Sequence, residues 1–369
     1  MMSLEAQLDR RLSWLALGMI EGIRRQRLFR LVEHAGSPEA AWHLSPADLA
    51  QVPGWSERTV AAFVAQRSQV CPGKEYETAK RLGVEIWTWE DEEYPDLLRE
   101  IADPPLALYA RGGRLRDGLL TVAVVGTRRA TAYGRQAARR LARELAAAGV
   151  CVVSGLARGV DSEAHLGALE AGGFTAAVLG CGADVIYPPE SARLFEAIGR
   201  KGLILSEYPL GTPPRAANFP ARNRIISGLS RGVVVIEAGE KSGALITADL
   251  ALEQGRDVFA VPGPINNPYS RGANELIKQG AKLVQSAADI LEEYGLQGFP
   301  FRAVGEPPAM GPEERKVLHL LRGGPVQLEE LAEITGYHVS KLARILTHLE
   351  LKGLVEQLPG KQFVAQKAD

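Results

Sequence analysis

Leu119-Leu120-Thr121-Val122-Ala123-Val124-Val125-Gly126-Thr127-Arg128 is an apolar run that ends in a glycine, a hydroxyl and an arginine. A segment with helix-like composition, Gly134 to Ala148, follows it. A strand, glycine turn and helix in this order aim the first backbone N–H groups of the helix at whatever sits above the strand end. That geometry suits an anion, most simply a phosphate, and Arg128 stands where its fork can grip a second oxygen. The unit then repeats. Apolar runs at 121–125, 150–153, 175–179, 203–205, 232–236, 258–261 and 281–284 are separated, in most cases, by helix-length segments at 134–148, 161–171, 192–199, 244–254 and 273–278. Runs of β-branched residues without polar alternation are strands covered on both faces. Strands and helices in alternation predict an α/β fold with a doubly wound, mostly parallel sheet. Ligands of such sheets lie beyond the carboxyl ends of the strands.

Upstream, residues 71–118 bridge into this sheet. Val84-Glu85-Ile86-Trp87-Thr88-Trp89 alternates β-formers with polar residues, and Leu106-Ala107-Leu108-Tyr109-Ala110 is a second strand pattern. Both are expected to add to the sheet, giving one domain over 71–295. Residues 1–70 read as a small helical domain, with Leu8, Leu12, Leu15 and Ile20, then Leu28, Leu31 and Val32, at helical spacing. Its Val52-Pro53-Gly54-Trp55 turn resembles a helix-hairpin-helix with Ser56 in place of the second glycine; structural, nucleic-acid and protein-binding uses all stay open. Residues 296–312 hold four prolines and three glycines without periodicity and read as linker. From 313 to 369, three apolar-periodic helices and a hairpin around Pro359-Gly360 follow the order of a winged helix-turn-helix. Its third helix carries Lys341, Arg344, His348 and Lys352, yet residues 311–369 balance eight Lys and Arg against eight Asp and Glu. The tail therefore admits either duplex contact or protein interaction.

With 369 residues, 46% hydrophobic and 24% charged residues, the chain has the composition of a soluble protein of two or three domains. No apolar run reaches the roughly 18 residues of a membrane span, and Met1 to Arg11 shows no secretory h-region. Three widely spaced cysteines, Cys71, Cys151 and Cys181, fit a reduced compartment and make no metal spacing with histidine. A net charge of −1 argues against a uniformly basic surface and leaves room for a local basic site.

Four strand-end clusters are expected to converge. They are Gly126-Thr127-Arg128; Ser154-Gly155-Leu156-Ala157-Arg158-Gly159-Val160-Asp161; Asn218-Phe219-Pro220-Ala221-Arg222-Asn223-Arg224; and Ser242-Gly243-Ala244 at a helix start. Glycine lets backbone amides approach a phosphate that a β-carbon would block. In the third cluster an aromatic stands beside two arginines, a pattern able to stack a base and hold flanking phosphates. Arg128, Arg222 and Arg224 reachable from one groove suit a polyanion; a salt bridge from Arg224 to Glu207 or Glu237 is the structural alternative. Asp161 and His165, at i and i+4, share a helix face and form an acid–base pair only as a minority reading, since a first-turn carboxylate also stabilises the helix dipole.

In order along the chain, Val124-Val125-Gly126-Thr127-Arg128, Ser154-Gly155-Leu156-Ala157-Arg158-Gly159-Val160-Asp161, Tyr187-Pro188-Pro189, Ser206-Glu207-Tyr208-Pro209, Phe219-Pro220-Ala221-Arg222-Asn223-Arg224-Ile225-Ile226 and Gly255-Arg256-Asp257-Val258-Phe259-Ala260-Val261-Pro262-Gly263 resemble the DNA-processing protein A family (DprA/Smf). The resemblance covers about residues 80–290. It implies an extended Rossmann-like domain that binds single-stranded DNA without sequence preference, protects incoming strands in natural transformation and loads the RecA recombinase. It also implies a cytoplasmic homodimer formed through that domain, with no catalytic residues, metal or cofactor. Carried over by position, the DNA pocket includes Gly126, Thr127, Arg128, Phe219, Arg222 and Arg224. The wider set expected here adds Ser154, Gly155, Arg158, Asn223, Ser242 and Gly243. Thr127 stands where the family usually has serine, keeping the hydroxyl and adding a methyl. Two alternatives remain: a nucleotide-processing, phosphoribohydrolase-like enzyme, and a duplex-DNA regulator acting through the tail. The first is weakened because Gly239-Glu240-Lys241-Ser242-Gly243-Ala244-Leu245-Ile246-Thr247 lacks the glutamate of the Gly-Gly-x-Gly-Thr-x-x-Glu motif.

Overall fold

A computed structural model describes residues 4–116, 118–296, 312–321, 326–351, 355–358 and 362–365. It divides into two units, Met1–Phe301 and Arg302–Asp369. In the first, six helices come before any strand: α1 (Leu4–Gly18), α2 (Arg25–Ala35), α3 (Pro38–His43), α4 (Pro46–Leu49), α5 (Glu57–Arg67) and α6 (Pro72–Arg81). Then follow β1 (Glu85–Thr88), α7 (Asp96–Arg99), β2 (Ala107–Gly112), β3 (Thr121–Val125), α8 (Ala132–Ala147), β4 (Cys151–Ser154), α9 (Val160–Glu170) and β5 (Thr175–Leu179). After them come α10 (Ala192–Lys201), β6 (Leu203–Ser206), α11 (Asn218–Gly228), β7 (Gly232–Val235), α12 (Gly243–Glu253), β8 (Asp257–Ala260), α13 (Arg271–Lys278), β9 (Lys282–Leu283) and α14 (Ala287–Glu293).

One nine-stranded sheet runs in the order β1-β2-β6-β5-β4-β3-β7-β8-β9. Strands β3 to β9 pair in parallel, and β1 and β2 add antiparallel at one edge. The apolar runs read as doubly covered strands are so: every residue of β3 is buried, and separate clusters of buried side chains lie on the two faces. The mostly parallel α/β sheet expected from the alternation is therefore present. Its core reverses direction at β3, which has β4 on one side and β7 on the other. That reversal opens a crevice at the carboxyl ends of the strands.

The N-terminal helices pack on the β1–β2 edge and share its core. Leu15, Ala79, Val84, Ile86, Ala107 and Tyr109 form one buried cluster, and the Phe29 and Trp89 rings meet at 4.8 Å. The hairpin turn is a packing feature on one side: Trp55 is buried, and Ser56 caps α5 by accepting from Thr59 N. Gly54 takes φ +81°, which favours glycine.

The second unit contains α15 (Pro312–Leu321), β10 (Val326–Gln327), α16 (Leu328–Thr335), α17 (Val339–Leu351), β11 (Val355–Leu358) and β12 (Gln362–Ala365), the winged-helix order expected. Lys341 pairs with Glu313 at 2.5 Å and lies 4.4 Å from the Tyr337 ring centroid. Of the linker expected over 296–312, residues 297–311 lie outside the described residues and Pro312 already begins α15; Lys352, the His348 side chain and the Pro359-Gly360 turn also lie outside them. No helix among the described residues is long and apolar enough to cross a membrane.

Candidate nucleic-acid interface

The turn after β3 is held from below by Glu237, one of the most deeply buried carboxylates of the sheet domain. Thr127 N donates to Glu237 O at 2.7 Å. The Glu237 carboxylate accepts from Thr131 N at 2.9 Å, from the Thr131 hydroxyl at 2.6 Å and from Asn267 Nδ2 at 3.2 Å. Thr131 in turn accepts from Gly134 N and caps α8. A β-carbon on Gly126 would lie 2.6 Å from Val160 Cγ2 and 2.9 Å from Glu237 O. Glycine is required here by the packing of α9 and β7 on β3. The Thr127 hydroxyl accepts from Arg129 N at 3.1 Å, fixing the turn that presents Arg128.

After β4, an internal carboxylate takes the place expected for a phosphate. Gly155 N and Ala157 N both donate to Asp161 Oδ2, at 3.2 and 3.4 Å. Leu156 between them adopts φ +53°, a left-handed conformation that turns both amides inward. Ser154 is fully buried and its hydroxyl donates to Val124 O at 2.7 Å, so its side chain ties β4 to β3 behind the cleft. Burial pushes the Asp161 carboxyl up to about 6, against the pull of Arg222. His165 faces Thr175, with Nδ1 2.7 Å from its hydroxyl, and burial and then Arg222 push it down to about 3. Asp161 and His165 thus hold different partners. Arg158 is exposed, pairs with Glu190, and borders a side recess beside Arg128 and Phe219.

Helix α11 splits the third cluster. Phe219 is half-buried, with the Arg128 guanidinium carbon 4.8 Å from its ring centroid and Tyr187 at 5.6 Å. Arg222 points into the floor of the cleft, only 3% exposed. Its Nη1 donates to Gly155 O at 2.9 Å and to Val178 O, while Nε is buried without a partner. Burial lowers Arg222 to about 10, opposed by Asp161, which leaves it cationic at neutral pH. Gly155 makes room for this guanidinium: its β-carbon would come within 2.5 Å of Arg222 Nη2 and 2.7 Å of Asp161 Oδ2. Asn223 Nδ2 donates to Gly243 O at 3.3 Å, tying α11 to the start of α12.

Arg224 does not join them, which corrects the expectation of three arginines in one groove. It meets Glu207 at 2.6 Å and Asp103 at 3.1 Å on the opposite face of α11, and Arg25 reaches the same Glu207 oxygen at 3.0 Å. Positions two apart on a helix do not face each other, so the spacing itself carried this signal. At the fourth cluster Ser242 caps α12 by accepting from Ala244 N, and Gly243 has open space where a β-carbon would sit. The cleft enclosed by Arg128, Phe219, Arg222, Asn223 and Ser242–Ala244 has a volume of about 580 Å³. Tyr187, Asp161 and Thr247 also line it. Of these, sequence reading singled out Asp161 for a different role, quoted Tyr187 only within a motif and gave Thr247 no role. Nothing local to the sequence marks Glu237 as the clamp beneath the turn.

Residues 85–295 match the family model described as DNA recombination-mediator protein A, and residues 302–361 match the DprA winged helix domain. The chain belongs to the DprA family. Protein Smf of Synechocystis sp. is 37% identical over 95% of this chain and 97% of its own length. The DNA processing protein DprA of Streptococcus pneumoniae is 40% identical over 74% of this chain and 94% of its own. The solved structure of that DprA superposes with a TM-score of 0.66 at 37% identity, covering 79% of this chain and 98% of the other. A DprA structure from Helicobacter pylori, described for its single-stranded DNA binding mode, gives a TM-score of 0.52 at 37% identity, covering 57% of this chain and 95% of the other. Membership makes this chain a DNA-processing recombination mediator.

Proposed function

We propose that the cleft above β3 and β4 holds single-stranded DNA, the ligand that the Helicobacter pylori relative is described as binding. The observation that carries this reading is the lining of the cleft: Arg128 over Phe219, with the buried guanidinium of Arg222 in the same cleft. Arg128 and the N-terminal amides of α12 supply positive potential at the rim. The Phe219 face supplies stacking, worth about 1–3 kcal/mol per base and indifferent to base identity. In this reading Gly126, Thr127, Ser154 and Gly155 act indirectly, by shaping the turns, and Arg224 acts outside the cleft. The protein works by binding: Asp161 and His165 are each engaged with other groups and are not arranged as a proton-transfer pair. On the family resemblance we extend the reading to a cytoplasmic homodimer, joined through the sheet domain, that hands the strand to the RecA recombinase.

The test is a titration of labelled single-stranded oligonucleotide at fixed salt. Arg128→Ala should weaken binding about tenfold or more, the loss of one charge-assisted contact and its stacking partner. It should also make the plot of log affinity against log salt shallower by about 0.7. Unchanged affinity in this variant would remove the cleft from consideration.

A further inference from the structure

A second cleft of about 370 Å³ lies on the other face of α11, between the α1–α2 turn and the β6–α11 loop. The two clefts share a wall. Pro214 and Ala216 line the first and Thr212 and Arg215 line the second, and residues 213–217 are all exposed. Helix α11 repeats the division, with Arg222 on one side and Arg224 on the other.

The cations of this second cleft are all arginines: Arg24, Arg25, Arg215 and Arg224, set against Glu21, Asp103 and Glu207. Their roles differ. Arg25 and Arg224 converge on buried Glu207; burial alone would raise that carboxyl, and the two guanidiniums hold it below its ordinary value. That trio is a rigid floor whose acid is already neutralised. Arg24 and Arg215 stand at the mouth. The Arg24 side chain is exposed and makes no hydrogen bond or ion pair among the described residues. Arg215 pairs with Glu21 at 3.4 Å with both side chains more than half exposed, a contact that contributes little.

We infer that the strand bound in the first cleft crosses the Pro213–Ala217 wall and continues into the second, where Arg24 and Arg215 take its phosphates. This rests on the reading of the first cleft as the strand site. It gives the N-terminal helical part a function, because Arg24 immediately precedes α2 while Arg215 lies in the β6–α11 loop of the sheet domain. Planar guanidiniums on both sides of an exposed, narrow wall suit a chain of phosphates better than one compact anion.

The experiment compares the intact chain with its Arg24→Gln/Arg215→Gln variant on thymidine oligonucleotides of about 4 and about 16 nucleotides. The short strand fills one cleft and the long strand reaches both. The double variant should bind the short strand as the parent does. It should bind the long strand several-fold more weakly, with a salt slope shallower by about 1.4, two contacts at about 0.7 each. Equal long-strand affinity and slope in parent and variant would overturn the inference, as would an equal loss at both lengths. Arg128→Ala, run alongside, separates the two claims: it should weaken both lengths, and its failure to do so would count against the first cleft itself.

Discussion

Asp161 is the acid at the floor of an otherwise cationic cleft, and its protonation sets the field that a phosphate meets. Its carboxyl rises from 3.8 to about 6, so the folded chain holds a proton that the unfolded chain has lost across that window. The sign follows: the group's contribution to stability falls as pH rises from about 4 to about 6 and is level above it. For a bound polyanion, a neutral Asp161 is the better neighbour. Affinity for a single strand should therefore strengthen as pH falls from about 7.5 to about 5, beyond what an Asp161→Asn variant shows over the same range. Anisotropy titrations at the two pH values check this, and parallel profiles for the two proteins would refute it. His165, pushed to about 3, does not titrate in this window. Glycines give a second test at this scale. Gly155→Ala should lose about 1–3 kcal/mol of stability through overpacking against Arg222 and Asp161. Gly243→Ala, which meets nothing within 4 Å, should stay within about 0.5 kcal/mol of the parent by urea unfolding. The residue types at the site were legible in the sequence. Their reasons were less so: Gly126 and Gly155 clear side chains from α9 and α11, contacts that no local pattern encodes.

At the scale of elements, the β-branched runs located β3 and β5 to the residue, because strands buried on both faces leave an uninterrupted apolar signal. Helices α8, α9 and α12 begin one or two residues earlier than their apolar periodicity, since caps and glycine turns start them: Thr131, Gly159 and Ser242. Helix α11 was the informative failure. Its arginines were expected to share one groove; along the helix Asn218–Gly228, Arg222 and Arg224 go to opposite faces. Elements also carry the next prediction. Glu237, two residues past β7, holds the β3–α8 turn and the loop containing Asn267 through three hydrogen bonds. Glu237→Ala would leave part-buried donors at Thr131 and Asn267 without their acceptor, and should lower unfolding free energy by about 1–3 kcal/mol. A denaturant midpoint within error of the parent would show that the clamp is dispensable.

At the scale of the whole molecule, each unit carries its own core. Among the described residues, winged-helix side chains from Val317 to Phe363 form a buried cluster of their own. A chain ending at residue 301 should therefore unfold at nearly the temperature of the sheet unit in the full chain, and keep the strand affinity assigned to the first cleft. The N-terminal helices are bound differently. Leu106 belongs to their core and Ile86, Ala107 and Tyr109 share a cluster with Leu15 and Ala79. Bidentate contact from Arg10 to Glu90 and the pairing of Arg11 with Asp91 reinforce the same seam. A chain beginning at residue 83 would expose this apolar edge of the sheet, at about 25 cal/mol for each Å² uncovered. It should unfold at a markedly lower temperature or aggregate, because an uncovered sheet edge also invites pairing with other chains. Calorimetry on the two truncations decides the matter. A chain beginning at residue 83 that is stable and does not aggregate would mean that the helical part is an independent domain resting on the sheet, and that its arginines reach a strand only as a tethered neighbour.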